Sequence, residues 1–481
     1  MKLSRLTRGM TLADHVGQDV EITSLTCDTR SLAPGGLFAA LKGSRTDGTN
    51  HISQALDRGA AAILCEKAPE VPGPWLVVPD AREAYGLLCG NWFGNPARRM
   101  TLLAVTGTNG KTTTTYLLKH VLESVLGAKV GLLGTNQNLI GDRVVPATHT
   151  TPDPYQLQCL LDQMAREGCS HVVMEVSSHA LDQRRVAGLR FRGGIFTNLT
   201  RDHLDYHGTM EAYRRAKERL FLQCEAAYVN GDDPAGRTLE RWAPCPVHTF
   251  GQDRGEVRAR TIRLGPDGVT FQALHQGKTC PVRLAIPGLF SVYNALGVLT
   301  CCLDLGIPLE KTAQALARAQ GVKGRAEVVP VPAPYTVLID YAHTPDALEK
   351  ILQTARDVTQ CRLICLFGCG GDRDRSKRPI MGSVAADLAD WVVLTSDNPR
   401  TEDPETILDE IAKGFPKGFD RCIRQSDRRQ AIRTALAMGR AGDVILLAGK
   451  GHETYQDIGG KRNHLDEREE ISSFFQENMI N

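Results

Sequence analysis

Short apolar runs recur along the chain and are separated by stretches whose apolar residues fall three and four apart. The first spacing predicts buried strands and the second amphipathic helices. In residues 1–98, runs at 37–41 and 60–64 read as strands and 81–92 as a helix, so a small α/β domain is expected there. Turn chemistry in Asn95-Pro96-Ala97-Arg98 places its boundary at residue 98.

From residue 99 the apolar runs at 102–105, 130–133, 171–176, 194–197 and 227–230 alternate with helical periodicity, which predicts a mostly parallel sheet. Between 256 and 286 the pattern shortens to strict alternation around Gly265-Pro266-Asp267-Gly268, a hairpin signal, before helical spacing returns at 289–305. A proline-rich connector at 329–334 closes this second domain, expected at 99–331. The alternation then restarts with strands at 337–340, 363–367, 391–395 and 444–448, each followed by a polar or glycine-rich cluster. Open α/β sheets bind ligands at such strand ends, so 332–481 reads as a Rossmann-like third domain. The expected fold class is α/β in three domains, with a nucleotide-binding centre.

With 57 basic and 55 acidic residues, the 481-residue chain carries no bulk charge for coating nucleic acid or an anionic membrane. Its fourteen cysteines are scattered, and Cys361, Cys365 and Cys369 lack the C-x-x-C spacing of a zinc site. Residues 1–17 hold no apolar core of signal-peptide length, and no run of about 18 apolar residues occurs. A soluble, cytoplasmic protein, monomeric and without nucleic-acid or membrane partners, is expected.

The strand at 102–105 empties into Thr106-Gly107-Thr108-Asn109-Gly110-Lys111-Thr112-Thr113 and then a helix. Gly107 and Gly110 let backbone N–H groups close around a polyphosphate, Lys111 can reach its outer phosphates, and Thr112 can offer a hydroxyl to Mg2+. Val105 stands where the strict phosphate-loop pattern has its first glycine. The bland alternative is a strand-to-helix turn that merely needs glycines. Downstream, Glu175 lies near the end of a buried strand, where a carboxylate is costly unless it serves a cation; it suits Mg2+ or an ion pair with a basic neighbour. Asp202-His203-Leu204-Asp205 precedes a helix carrying Lys217, a cluster that alone reads equally as a polar loop and a surface lysine.

These segments, in this order, together with Ser177-Ser178-His179 and Asp340-Tyr341-Ala342-His343, resemble the Mur ligases, ATP-dependent amide-forming enzymes of peptidoglycan precursor synthesis to which folylpolyglutamate synthases are related. The resemblance implies that residues 107–113, Asn294, Arg325, Asp340 and His343 bind ATP. It also implies that Thr112, Glu175, His203 and a carbamylated Lys217 hold Mg2+. Lys111, Glu175, His203 and Lys217 would form the catalytic set. A carbamate carries negative charge, which a cation-rich site favours.

Ser396-Asp397-Asn398-Pro399-Arg400 follows a third-domain strand, and its Asp-Asn-Pro-Arg run is similar to the motif by which the members of that family that add meso-diaminopimelate recognise their amino acid. By the same resemblance Arg373, Gly449 and Glu453 join Asp397, Asn398, Pro399 and Arg400 around it. Arginines suit its carboxylates and Glu453 its distal ammonium. L-Lysine would leave a cation unpaired, a penalty of roughly 10^4-fold at a site built on polar pairing. For the other substrate, a UDP-N-acetylmuramoyl dipeptide, the resemblance points to Thr29, Ser44, Arg45, Thr46, Thr150, Thr151, Ser177, Gln183 and Arg185. Competing readings are an L-lysine-adding ligase or a folylpolyglutamate synthase and, from another class, a transporter ATPase or a GTPase switch. The chain has no guanine-reading N-K-x-D run.

Overall fold

The computed structural model describes residues 1–15, 18–43, 46–68, 70 and 73–480. The chain forms two compact units, residues 1–199 with 203–249 and residues 200–202 with 250–481.

The first unit holds two sheets. In the smaller, Leu25–Thr26, Leu37–Ala39, Ala62–Cys65 and Trp75–Val77 run parallel in spatial sequence, and Asp14–His15 pairs antiparallel at the edge. Both faces are apolar. Leu37, Ala39, Ala62 and Leu64 pack on one side against Ala84, Tyr85 and Leu88 of helix Ala81–Trp92, while Phe38, Ile63 and Trp75 pack on the other against Ile52 and Ala55. Asp80 starts that helix by accepting from the Arg82 and Glu83 N–H groups.

At the centre of the larger sheet lies Thr101–Thr106, between parallel neighbours His171–Glu175 and Gly193–Phe196. Val130–Leu133 and Ala227–Asn230 flank these, again parallel. Because this strand is hydrogen-bonded on both sides and covered on both faces, Leu102, Leu103, Ala104 and Val105 are all buried, which is why it reads as a continuous apolar run. It delivers Gly107–Gly110 directly to helix Lys111–Leu126, whose N-cap is Gly110 at φ +86°. An antiparallel extension, Asn138–Ile140 and Arg143–Val145, is too short to show a period in the sequence.

In the second unit, Val257–Gly265, Gly268–His275 and Lys278–Leu284 form an antiparallel meander, the hairpin expected around residues 265–268 included. A separate sheet runs Glu327–Val329, Thr336–Asp340, Val444–Ala448, Leu363–Phe367, Trp391–Leu394, Cys422–Arg424 in space, parallel except for its first strand. Leu348, Ile351, Met381, Leu408 and Ile411 from helices Pro345–Val358, Lys377–Leu388 and Pro404–Ala412 cover one face. Ala431, Ile432, Ala435 and Ile471 from Arg428–Met438 and Glu467–Ile480 cover the other. This is a doubly wound sheet.

Candidate active site

In the first unit the phosphate loop is built from both sides. Gly107 sits at φ +146°, where a Cβ would overlap Thr197 Oγ1. The neighbouring strand grips the loop: Thr108 N donates to the Asn198 carbonyl (2.9 Å), Asn109 N to Asn198 Oδ1 (3.0 Å), and Thr197 Oγ1 to the Asn109 carbonyl (2.6 Å). Lys111 folds back so that Nζ donates to the carbonyls of Gly107 (3.0 Å) and Thr108 (2.9 Å). Thr108, Thr112 and Thr113 are buried.

Lys217 is no surface lysine. Only 1% exposed, it points from helix Met210–Glu218 under the loop, where Nζ donates to the Gly107 carbonyl (2.7 Å) and lies 4.5 Å from the Tyr213 ring centroid. His203 adopts left-handed φ +52°, rare for a residue with a side chain, and its ring stands 4.8 Å from that of His179. Burial first, then the neighbouring His203 and His207, bring His179 down to about 4.

Glu175 is fully buried at its strand end. Its carboxylate accepts from Thr135 N (2.9 Å) and Thr135 Oγ1 (3.0 Å), and it has no cationic partner among the described residues. A buried carboxylate supplied only with neutral donors suits an incoming metal ion, and it stands on the strand hydrogen-bonded to the phosphate-loop strand. Among the described residues no three His, Cys, Asp or Glu group as a metal set. The expected Mg2+ donors include just one of each of His and Glu, the rest being a hydroxyl, a modified lysine and phosphate oxygens.

One hydrogen-bond chain links this carboxylate to the residues expected at the dipeptide. Thr135 Oγ1, its proton given to Glu175, lies 3.1 Å from Thr150 Oγ1 and accepts from it, and Thr151 Oγ1 donates to the Glu175 carbonyl (2.9 Å) while accepting from Ser177 N (3.1 Å). Arg185 donates to the Thr151 carbonyl (2.8 Å) and through Nε and Nη2 to Gln183 Oε1. Thr150, Thr151, Ser177, Gln183 and Arg185, spread over 36 positions of sequence, thus form one network. Thr29 belongs elsewhere in the unit, donating to Gln54 Oε1 (2.8 Å), and the Thr46 carbonyl accepts from Gly43 N. Ser44 and Arg45 lie outside the described residues.

In the second unit, Asn294 is buried in helix Leu289–Asp304 with Nδ2 lacking a partner among the described residues; Arg325 Nε likewise has none, and Arg325 Cζ lies 5.1 Å from the Tyr341 ring centroid. Unsatisfied buried donors of this kind suit a polar ligand. Burial raises the Asp340 carboxyl, an effect that Arg325 and the Ala326 N–H at 2.7 Å only partly offset. Burial lowers His343, whose Nδ1 pairs with the Tyr341 carbonyl (2.9 Å).

The turn after strand Trp391–Leu394 meets the segment after Val444–Ala448. Asn398 Nδ2 donates to Glu453 Oε2 (3.0 Å), and Gly449 is close enough that a Cβ would come 2.5 Å from Asp397 Oδ2. Arg400, at φ +51° behind Pro399, donates through Nη1 to the Gly371 carbonyl. A Cβ on Gly370 would lie 3.0 Å from Arg400 Nη1 and 3.8 Å from Arg373 Cγ, so both arginines flank one glycine loop. Asp397, Asn398, Arg400, Gly449 and Glu453 therefore converge at the strand ends. Three residues passed over in the sequence share the sites: Asn198 at the phosphate loop, Tyr341 beside Arg325, and the fully buried Lys450, whose Nζ reaches Asn398 Oδ1 (3.0 Å) and Glu453 Oε2 (2.9 Å). Lys450 carried a weak signal, a lysine between two glycines immediately after a buried strand.

Three segments match family descriptions: residues 21–88 "Mur ligase family, catalytic domain", 105–302 "Mur ligase middle domain" and 324–451 "Mur ligase, glutamate ligase domain". The chain is similar to the UDP-N-acetylmuramoyl-L-alanyl-D-glutamate--2,6-diaminopimelate ligase of Geobacillus thermodenitrificans, 44% identical over 94% of this chain and 95% of that one. It is also 44% identical to the ligase of the same name from Caldanaerobacter subterraneus subsp. tengcongensis over 99% of each. A solved structure of a ligase with that name superposes with a TM-score of 0.73 at 32% identity, covering 100% of this chain and 99% of the other. A folylpolyglutamate synthase of Mycobacterium tuberculosis shares the fold, with a TM-score of 0.61 at 18% identity over 75% of this chain and 91% of that one. The identity with full-length relatives and the three matched segments establish that the chain belongs to the Mur ligase family.

Proposed function

We propose that this chain is the ATP-dependent ligase that joins meso-diaminopimelate to the γ-carboxylate of UDP-N-acetylmuramoyl-L-alanyl-D-glutamate, releasing ADP and phosphate. The work is cytoplasmic and feeds peptidoglycan synthesis, hence cell shape and division. The observation that carries the reading is the turn Asp397–Arg400 gathered with Gly449 and Glu453 at the strand ends, in a chain whose full-length relatives carry the diaminopimelate ligase name.

The γ-carboxylate attacks the γ-phosphorus of ATP, expelling ADP and leaving an acyl phosphate. Lys111 swings its ammonium from the loop carbonyls to the phosphates, while the N–H groups of residues 107–113 cradle them. Thr112, Glu175, His203 and a carbamylated Lys217 would hold Mg2+, which offsets the repulsion between the two anions. Asn294, Arg325, Asp340 and His343 are the further residues that contact the nucleotide. Thr29, Ser44, Arg45 and Thr46 hold the uridine nucleotide, and the network of Thr150, Thr151, Ser177, Gln183 and Arg185 aligns the dipeptide. The diaminopimelate amine, once deprotonated, then attacks the activated carbonyl, and the tetrahedral intermediate collapses with loss of phosphate to an amide.

Phosphate release with ATP and UDP-N-acetylmuramoyl-L-alanyl-D-glutamate tests this directly. Release with meso-diaminopimelate is expected to exceed that with L-lysine by roughly 10^4-fold in kcat/KM. Arg400→Lys, which loses the bidentate fork, is expected to erode that ratio. No release with meso-diaminopimelate overturns the assignment.

A further inference from the structure

Lys450 is fully buried, and its ammonium lies among three side chains of the amino-acid site: Asn398 Oδ1 at 3.0 Å, Glu453 Oε2 at 2.9 Å and Asp397 Oδ1 at 4.0 Å. Asn398 Oδ1 also accepts from Asp457 N (2.9 Å), and two donors on one oxygen fix the amide so that Nδ2 must face Glu453. The glutamate oxygen nearest Lys450 is therefore fully engaged. Its other oxygen, Oε1, accepts only from the neutral Tyr341 Oη, at 3.5 Å, and is the side that faces no cation among these partners.

Burying an ammonium is costly, and an apolar side chain in its place would often be as stable. A charge kept there serves the site's balance. Among the charges within 4.0 Å of Lys450 Nζ, one ammonium stands against the Asp397 and Glu453 carboxylates, leaving one negative charge for a single substrate ammonium. Arg400 and Arg373 supply two positive charges for two carboxylates. Diaminopimelate with its attacking amine deprotonated has one ammonium and two carboxylates, which this set neutralises. L-Lysine in the same form has one of each and leaves a guanidinium unpaired.

On the ligase reading above, we propose that Lys450 is a specificity-determining positioning residue. It holds Asn398 and Glu453 in place and adds the positive charge that matches the site to an amino acid with two carboxylates and one ammonium. Without that charge the set is neutral overall, so the net-charge advantage of diaminopimelate over the reactive form of L-lysine is lost.

Wild-type chain, Lys450→Gln and the double variant Asp397→Asn/Lys450→Gln test this by kcat/KM for meso-diaminopimelate and for L-lysine at saturating ATP and muramoyl dipeptide. Glutamine keeps a donor for Asn398 but drops the charge, and the Asp397 substitution removes one negative charge to compensate. Lys450→Gln is expected to lower the diaminopimelate-to-lysine ratio by about tenfold or more, mostly through KM for diaminopimelate, and the double variant to recover much of it. Equal losses for both amino acids, with the ratio unchanged, mean a purely structural lysine and overturn the proposal. Should Lys450→Gln fail to fold, the double variant decides alone: a ratio near wild type supports the charge balance and a tenfold fall overturns it. A wild-type chain that uses no diaminopimelate overturns the ligase reading, and this inference with it. A wild-type preference for diaminopimelate that Lys450→Gln leaves untouched overturns the inference alone.

Discussion

At Gly107 a single missing Cβ separates a ligand loop from an ordinary turn. The residue holds φ +146°, and any side chain would overlap Thr197 Oγ1. Gly107→Ala is expected to cost about 1–3 kcal/mol of stability and to abolish protection of the fold by ATP in thermal melts; a variant still stabilised by ATP would refute that. Glu175→Gln tests the neighbouring carboxylate. Because its donors are the neutral Thr135 groups, the amide keeps an acceptor for Thr135. Stability should change little while turnover falls by about 10^2-fold or more, and an active Glu175→Gln enzyme would remove Glu175 from the reaction. Glu402 carries a different lesson. The Arg378 guanidinium, fully buried, pairs with it through both oxygens and holds it near 2, below the ordinary 4.5. Its contribution is complete above about pH 4.5 and is lost as pH falls toward 2. Urea melts of Glu402→Gln against wild type should show a gap at pH 7 that narrows between pH 4.5 and 3, and a gap constant with pH contradicts the assignment.

Elements explain how far the pattern of apolar residues could be read. Strands buried on both faces announce themselves as unbroken runs: Val130–Leu133, Ala227–Asn230, Leu363–Phe367 and Val444–Ala448 stand where the sequence puts them, to the residue. The hairpin Tyr455–Ile458 and Lys461–His464 shows the opposite. Its second strand is exposed throughout, so no face supplies a period, although Gly459 and Gly460 at φ +61° and +78° are turn residues of the expected kind. Phosphate loop, Glu175 and Asp397–Arg400 were legible because each ends or follows such a strand. Lys450 also follows such a strand and left a weak signal, but its burial against Asn398, 52 positions away, could not be read from the sequence. Arg428 illustrates what elements conceal at their ends. From the first turn of helix Arg428–Met438 it pairs with Glu467 (2.7 Å), both fully buried, and donates to the carbonyls of Ser396 (3.3 Å) and Ala448 (2.9 Å), the last residues before Asp397 and Gly449. Arg428→Met should cost about 3–5 kcal/mol by stranding Glu467. Arg428→Met/Glu467→Met should regain most of that stability yet keep a raised KM for the amino acid, because both carbonyls stay unheld. A double variant with wild-type KM would reduce Arg428 to a stability role.

For the molecule as a whole, the two chemical steps ask for different parts of the chain. Acyl-phosphate formation needs ATP and the dipeptide carboxylate, with Lys111 on the loop of the first unit. Amide formation needs the amino acid as well, and the turn that would hold it, Asp397–Arg400 with Glu453, belongs to the second unit. A loss in the loop must therefore stop both steps, whereas a loss in the turn should stop only the second. Hydroxylamine trapping separates them, because the acyl phosphate yields a hydroxamate without any amino acid. Lys111→Ala is expected to give neither hydroxamate nor tripeptide. Arg400→Lys is expected to form hydroxamate at close to the wild-type rate while tripeptide formation from meso-diaminopimelate falls by about 10^2-fold or more. If Arg400→Lys also loses the hydroxamate, the turn takes part in carboxylate activation, and the division of labour between loop and turn is wrong. That outcome would mean that the amino-acid site is required to complete the phosphoryl-transfer geometry, an ordered mechanism in which the amino acid binds before ATP is cleaved.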